Sequence, residues 1–303
     1  MPSLLQYILM LLMLLYAAVQ LAVLIVLVIH HLYVRQGKPG LLAARWSYLD
    51  LWVGFHLALL ITLGALVGLA FSGGFVLAIL SPEDGRAFQR AVLMGEFPDS
   101  ALWWMLFPIL LVQNAAFVAA AVLYMVGKYG MDLRTLGLVW DRQAVRIGLL
   151  WGVLAFLVTP LVELLSVGVL RLMLGASGFE RLVNWEKQTV AIEAILESLQ
   201  PGIMLAAFVL TVAVVAPIGE EIFFRGFVFN LLRNRLNLQS AVWISSALFA
   251  VLHVSVKNFL PILVIGVLLA RLYHRTGSLW SCMVMHGMFN LLSTVAAIVT
   301  GRI

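Results

Sequence analysis

Long apolar runs, each about as long as a lipid bilayer is thick, dominate this chain. Of its 303 residues, 63% are hydrophobic and only 11% are charged, whereas a soluble domain is about half apolar and about a quarter charged. A helix needs about 20 mainly apolar residues to cross a bilayer. We therefore predict an all-α, polytopic membrane helix bundle of about eight transmembrane helices. The eight candidate spans are Leu4–Ile29, Leu51–Phe71, Leu102–Met125, Ile147–Val169, Ile203–Phe224, Ala241–His253, Phe259–Tyr273 and Leu279–Thr300.

The charges and the cysteine content exclude several other classes of protein. The net charge of +5 comes from 19 basic and 14 acidic residues. The basic residues are scattered between apolar runs, which indicates loops that orient a membrane protein rather than a nucleic-acid surface. Cys282 is the only cysteine, so the chain has neither a disulfide framework nor a cysteine metal site. The run Leu4–Ile29 is longer than the usual signal-peptide core of about 7–15 residues, so we expect a retained helix.

Three polar patterns lie in or beside the last apolar runs. Because a charge inside a bilayer is expensive, ionisable residues at membrane depth indicate a functional site. Counting about 1.5 Å per helical residue from the loops places all three patterns at a middle depth, reached from the same side of the membrane. We therefore expect them to meet in one site. The patterns are Glu220-Glu221-x-x-x-Arg225, Phe249-x-x-x-His253 and His286-x-x-x-Asn290.

Helical spacing assigns different surroundings to the two adjacent acids. Glu221 and Arg225 are four residues apart and so share a helix face, which predicts an ion pair. Glu220 lies about 100° further round the helix and is left without that arginine. A free carboxylate beside a water molecule is what a general base requires. Pro217, just upstream, cannot continue the helix hydrogen bonding and so opens space for such a water.

The two histidine patterns supply hydrogen-bonding groups. His286 and Asn290 share a face, and two aligned donors suit a developing oxyanion. We place His253 on its helix, where it could orient the attacking water or protonate a leaving amine. Each pattern alone has a structural explanation, namely an ion pair, a packed histidine or hydrogen bonds between helices. The combination at matched depth favours a catalytic site.

These residues resemble the CAAX-processing endopeptidase and bacteriocin-processing family of intramembrane proteases, also called the CPBP or ABI family. The resemblance extends over residues 136–292 and leaves the first 130 residues uncovered. We therefore divide the chain into N-terminal transmembrane helices of unassigned role, residues 1–135, and a protease-like core, residues 136–303. The flanking segments that carry the resemblance are Ala216-Pro217-Ile218-Gly219, Phe224-Arg225-Gly226 and Gly277-Ser278-Leu279-Trp280.

The resemblance implies a glutamate-dependent intramembrane endopeptidase. It implies that Glu220 and His253 activate the attacking water and that His286 and Asn290 stabilise the oxyanion. Glu221 and Arg225 would support the site.

The family has also been regarded as metal-dependent. Two acids and two histidines can in principle hold a metal, but there is no His-Glu-x-x-His pair. We predict no cofactor and a metal-free site. The expected partners are membrane lipids and a membrane-associated, in some members prenylated, peptide or protein. The expected location is a prokaryotic plasma membrane.

The sequence is also compatible with two other functions. One is a non-catalytic membrane partner or bacteriocin-immunity protein that retains the site architecture. The other is a small transporter whose charges at mid-membrane form a path, although the sequence lacks paired, Gly/Pro-broken helices in matching halves.

One loop has an amphipathic pattern of its own. In the stretch Trp185–Leu199, the acids Glu186, Glu193 and Glu197 share one helical face and apolar residues lie on another. This pattern predicts a helix in the headgroup region or a lid over the site.

Overall fold

The computed structural model of the chain describes residues 48–60, 62, 99–128, 133–189 and 202–300. All regular secondary structure in these ranges is helical, in agreement with the predicted all-α class. The predicted first span, Leu4–Ile29, and about half of the second, Leu51–Phe71, lie outside the described residues. The chain divides into two compact units, residues 1–56 and 57–303, and the site lies wholly in the second.

Seven helices are labelled along the described ranges. They are α1 at Tyr48–Leu60, α2 at Asp99–Val122, α3 at Arg142–Thr189, α4 at residues 203–233, α5 at Leu238–Val251, α6 at Phe259–Thr276 and α7 at Leu279–Val299. Four of the seven, namely α3, α4, α6 and α7, are long and apolar enough to cross a membrane, and α1, α5 and part of α2 are shorter apolar helices. The protein is therefore a multi-pass membrane protein, while the predicted count of eight spans is not confirmed by this part of the chain.

Helix α3 is much longer than the predicted span Ile147–Val169. It continues to Thr189, with one departure from helical geometry at Gly175, where φ is 69° and ψ is 169°. Residues 185–189 therefore belong to α3, so the predicted amphipathic stretch Trp185–Leu199 begins within this helix; residues 190–199 lie outside the described residues. The side chain of Glu186 is only 3% exposed rather than part of a polar surface, while Glu193 and Glu197 lie outside the described residues.

Helix α4 is not a regular α-helix. Two π-helical segments, Thr211–Val215 and Ile222–Phe229, enclose the short α-helical stretch Ala216–Glu221. Such segments have wider turns and are frequent at functional sites. The sequence predicts a disturbance at Pro217, but the π-helical geometry is not apparent from it.

Two glycines let α3 and α7 pack closely. Gly148 and Gly152 are four residues apart, so they share a face of α3. A β-carbon on Gly148 would lie 2.6 Å from the carbonyl oxygen of Ser281, and one on Gly152 would lie 2.8 Å from that of Met285. Small residues at this spacing are typical of tightly packed membrane helices. The contact fixes α7, which carries His286.

The start of α7 is fixed by the segment that precedes α3. The backbone N–H of Leu279 donates to the carbonyl oxygen of Gly137 at 3.0 Å, and the Trp280 indole donates to that of Leu138 at 3.3 Å. Gly137 has a φ of 79°, and a side chain there would overlap the backbone of Gly277. The flanking sequence Gly277-Ser278-Leu279-Trp280 therefore anchors α7 at its start.

The close contact between α3 and α7 predicts different effects for two glycine substitutions. Gly152→Ala should lower the free energy of unfolding by about 1–3 kcal/mol, because the new methyl group overpacks the interface. Gly168→Ala is the matched control on the same helix, since a β-carbon there meets nothing within 4 Å. That control should change stability by no more than about 1 kcal/mol. Thermal unfolding of both variants in detergent tests this, and equal shifts would contradict the proposed interface.

Candidate active site

Four of the predicted site residues line one cavity of about 380 Å³. The walls come from α2, α4, the turn after α5, and α7. Glu221 and Arg225 do not line this cavity; they lie behind it in the protein interior, 0% and 2% exposed. The structure thus brings all six residues to one region and separates the four predicted to be catalytic from the two predicted to support them. The four in the cavity are Glu220, His253, His286 and Asn290.

A buried ionic cluster connects two of the three patterns. The guanidinium of Arg225 donates through Nη1 to Oε1 of Glu221 at 2.8 Å, so the ion pair expected from the spacing is present. Nδ1 of His286 lies 2.9 Å from the same oxygen. The second terminal nitrogen of Arg225 donates to the carbonyl oxygen of Gly266 on α6 at 3.3 Å. Glu221 therefore joins α4 to α7, and Arg225 joins α4 to α6.

The hydrogen bond to Glu221 sets the donor and acceptor roles of the two ring nitrogens of His286. An ionised carboxylate only accepts hydrogen bonds, so His286 donates to it through Nδ1. A hydrogen bond at one ring nitrogen sets the role of the other. The remaining nitrogen, Nε2, lies 3.9 Å from Oε2 of Glu220. In the neutral ring Nε2 is an acceptor, and it becomes a donor only when the ring is doubly protonated.

Glu220 has the free carboxylate that helical spacing predicts. Its side chain is 16% exposed, and its Oε2 is buried without a hydrogen-bond partner among the described residues. The adjacent Glu221 carries the bonds to Arg225 and His286 instead. One turn of helix thus presents one acid to the cavity and the other to the cation behind it.

The ring of Phe249 lies at the centre of the site. The Arg225 guanidinium carbon lies 4.5 Å from the ring centroid, a cation–π distance. The rings of His253, His286 and Phe224 contact it edge-on, with centroid distances of 4.6, 5.7 and 5.1 Å. Phe249 is 1% exposed. This one side chain therefore touches residues from all three patterns, a role that the sequence analysis did not assign to it.

Asn290 is held by a carbonyl group that Pro217 leaves free. The N–H of residue 216 donates five residues back to Thr211, so the next donor in this pattern would be residue 217. A proline has no N–H, and Nδ2 of Asn290 donates to the carbonyl oxygen of Val212 instead, at 2.8 Å. An amide carries two N–H groups, so a second donor of Asn290 remains for the cavity.

His253 reaches the cavity from a turn and not from a helix. Helix α5 ends at Val251, so the predicted placement of His253 on that helix is wrong. Nδ1 of His253 donates to the carbonyl oxygen of Phe249 at 2.8 Å. In the neutral ring this bond leaves the lone pair on Nε2, which suits His253 to accept or relay a proton.

Other polar residues also line the cavity, among them Gln113 on α2 and Thr211 on α4. Glu163 on α3 is exposed and is not among the residues that line it.

The side chains in the cavity do not fit a metal site well. Oε1 of Glu221 already accepts from Arg225 and His286, and Nδ1 of His286 is used in the second of these bonds. In the described part of the chain, no three His, Cys, Asp or Glu side chains are grouped so that they could hold a metal ion. The remaining ring nitrogen of His286, Nε2, faces Oε2 of Glu220 across the cavity at 3.9 Å.

The two acids should differ in their effect on stability. Glu221→Ala should lower the free energy of unfolding by about 3–5 kcal/mol, because it leaves the buried Arg225 without its counter-ion. Glu220→Ala should have a much smaller effect, because the lost carboxylate oxygen Oε2 has no hydrogen-bond partner in the described structure. Thermal unfolding of both purified variants measures the difference. Similar losses would show that Glu220 also supports the fold.

Comparison with known proteins agrees with this reading of the chain. Residues 202–292 match the family described as "Type II CAAX prenyl endopeptidase Rce1-like". A protein of Bacillus subtilis (strain 168) named "Putative membrane peptidase YdiL" is 25% identical over 217 residues, covering 62% of this chain and 85% of that protein. No solved structure matches the chain. The resemblance to the CAAX-processing family is thereby confirmed over residues 202–292, which contain all three polar patterns.

Proposed function

We propose that this protein is an intramembrane endopeptidase that hydrolyses a peptide bond of a membrane-associated substrate with a water activated by Glu220. The observation that carries the proposal is the pairing of a free carboxylate with a fixed histidine. Oε2 of Glu220, which has no hydrogen-bond partner in the described structure, lies 3.9 Å from Nε2 of His286. Both side chains line a cavity that His253 and Asn290 also line.

The residues can be given complementary roles in hydrolysis. Glu220 accepts a proton from water while the water oxygen attacks the carbonyl carbon of the scissile bond. The doubly protonated His286 and the second N–H of Asn290 donate to the oxyanion that forms. Glu220 then delivers this proton to the leaving amine, either directly or through His253, and the C–N bond breaks. Glu221 and Arg225 keep His286 oriented throughout.

The comparisons support the class of substrate without naming it. The matched family is described as a prenyl endopeptidase, and the Bacillus subtilis relative is named as a membrane peptidase. We extend the proposal to a prenylated or otherwise membrane-anchored peptide as substrate and to a prokaryotic plasma membrane as location. Residues 136–303 would form the protease core, with residues 1–135 as helices of unassigned role.

A cleavage assay tests the proposal. Purified protein in liposomes is given quenched, membrane-anchored peptides, some of them prenylated, with and without a chelator. Wild type should cleave at least one of them. Glu220→Gln should abolish cleavage, because the amide has the size of the carboxylate but cannot act as a base. We expect the chelator to have no effect.

The other results would change the mechanism or the function. Loss of cleavage with chelator would make Glu220, His253 and His286 metal ligands. Full activity of Glu220→Gln would remove Glu220 from its role as base. Failure of folded wild type to cleave any peptide would favour the non-catalytic partner or immunity protein over a peptidase.

Asn290 should affect the rate more than substrate binding. If it donates to the oxyanion, Asn290→Ala should lower kcat by about 10²–10³-fold with little change in KM. The matched control is Asn114→Ala, because Asn114 also donates to a backbone carbonyl, that of Leu110 at 2.9 Å, but does not line the cavity. Steady-state kinetics of both folded variants measures kcat and KM and so tests this expectation. A rise in KM alone would assign Asn290 to substrate binding.

A further inference from the structure

The segment that carries His253 has an unfavourable backbone conformation. After α5 the chain forms a turn, and Val254, directly after His253, has a φ of 51°. A β-branched residue in the left-handed region is rare and costs about 1–3 kcal/mol. Such a conformation persists only where surrounding contacts impose it. The contacts that hold residues 252–258 therefore bear on where His253 lies.

Those contacts come from α3 and centre on Glu186. The carboxylate of Glu186 accepts hydrogen bonds from the backbone N–H of Val256, from that of Lys257 at 3.1 Å and from the Ser255 hydroxyl at 3.3 Å. The hydroxyl of Ser166, also on α3, donates to the carbonyl oxygen of Lys257 at 2.9 Å. The segment is thus bound to α3 through both its N–H groups and a carbonyl group.

Burial makes this attachment strong. Glu186 is 3% exposed, and a buried carboxylate is stable only when its oxygens are hydrogen-bonded. Hydrogen bonds to an ionised group are also stronger than those between neutral groups. Helix α6 begins at Phe259, two residues after Lys257, and the positive end of its dipole favours a negative charge nearby. Releasing the segment would therefore leave an acid buried without its partners.

The same segment is a wall between two cavities. Leu252 and His253 line the cavity that contains Glu220. Val254, Ser255 and Val256 line a second, mostly apolar cavity of about 550 Å³ on the α3 side. A shift of this wall toward either cavity would move His253 relative to Glu220.

We propose that Glu186 is a positioning residue that holds the turn after α5 and thereby sets His253 in the active-site cavity. This inference rests on the proposed peptidase function for its catalytic consequence. Its structural content, the attachment of residues 255–257 to Glu186, does not depend on that function. Glu186 touches neither the cavity nor the reacting groups and acts only through the turn.

The test compares Glu186→Ala with Glu180→Ala, an exposed glutamate on the same helix. Hydrogen–deuterium exchange is measured for the amides of Val256 and Lys257 in the full-length protein in detergent. Loss of their acceptor should speed exchange there by about tenfold or more, with no change elsewhere in α5–α7. Glu180→Ala should match wild type, and Glu186→Gln should lie in between because it keeps one acceptor oxygen.

Kinetics on the same variants tests the effect on His253. With a peptide that wild type cleaves, Glu186→Ala should lower kcat by about 10–100-fold, since a small misplacement of a catalytic group has effects of this size. KM should change much less. In a His253→Ala background, removing Glu186 should cause little further loss, because the group that it positions is already absent.

Three results would overturn the inference. They are unchanged exchange in Glu186→Ala, faster exchange with unchanged kcat, and exchange that rises throughout α5–α7, which would make Glu186 a general fold residue. If wild type cleaves no peptide, the proposed function fails, but the exchange experiment still decides whether Glu186 holds the turn. The two failures are therefore distinguishable.

Discussion

The buried cluster of Glu221, Arg225 and His286 is the interaction on which the site depends. Taking charged groups into a membrane interior is costly, and they remain there only when paired and hydrogen-bonded. Here one carboxylate oxygen serves both the guanidinium and the imidazole, and the ring of Phe249 covers the cation. Because the partners lie on α4, α6 and α7, the cluster fixes these helices relative to one another. The neighbouring Glu220 then faces His286 at 3.9 Å, and its Oε2 has no hydrogen bond in the described part of the chain.

The irregular geometry of α4 determines how Asn290 is held in the site. Pro217 has no N–H to donate to the preceding turn. In the π-helical hydrogen-bonding pattern, the carbonyl oxygen left without a backbone donor is that of Val212. Asn290 fills that position from α7. Close approach is possible because Gly287 faces the backbone of Ala213, where a side chain would overlap it. Pro217 thus orients Asn290. This role is additional to the one predicted from the sequence, which was to open space for a water molecule.

Local spacing predicts the parts of this site that depend on one helix. Four-residue separation was enough to expect the Glu221–Arg225 pair and the free Glu220, because both depend only on helix geometry. The position of His253 was not predictable in the same way. The acid that holds its turn is 70 residues away from Val256 in sequence, and an amphipathic pattern had placed Glu186 on a surface. The π-helical segment Thr211–Val215 likewise has its partner on another helix, since Asn290 on α7 donates to Val212.

Electroneutrality connects the two roles proposed in the cavity. With Glu221 and Arg225 neutralising each other, the remaining pair is Glu220 and His286, 3.9 Å apart. A lone charge is unfavourable in this environment, so the low-energy states are two neutral groups or an anionic Glu220 with a cationic His286. In the second state Glu220 is a base and Nε2 of His286 is a donor. Moving one proton from Glu220 to His286 would therefore create the proposed base and the proposed oxyanion donor together, so substitution of either residue should abolish both functions.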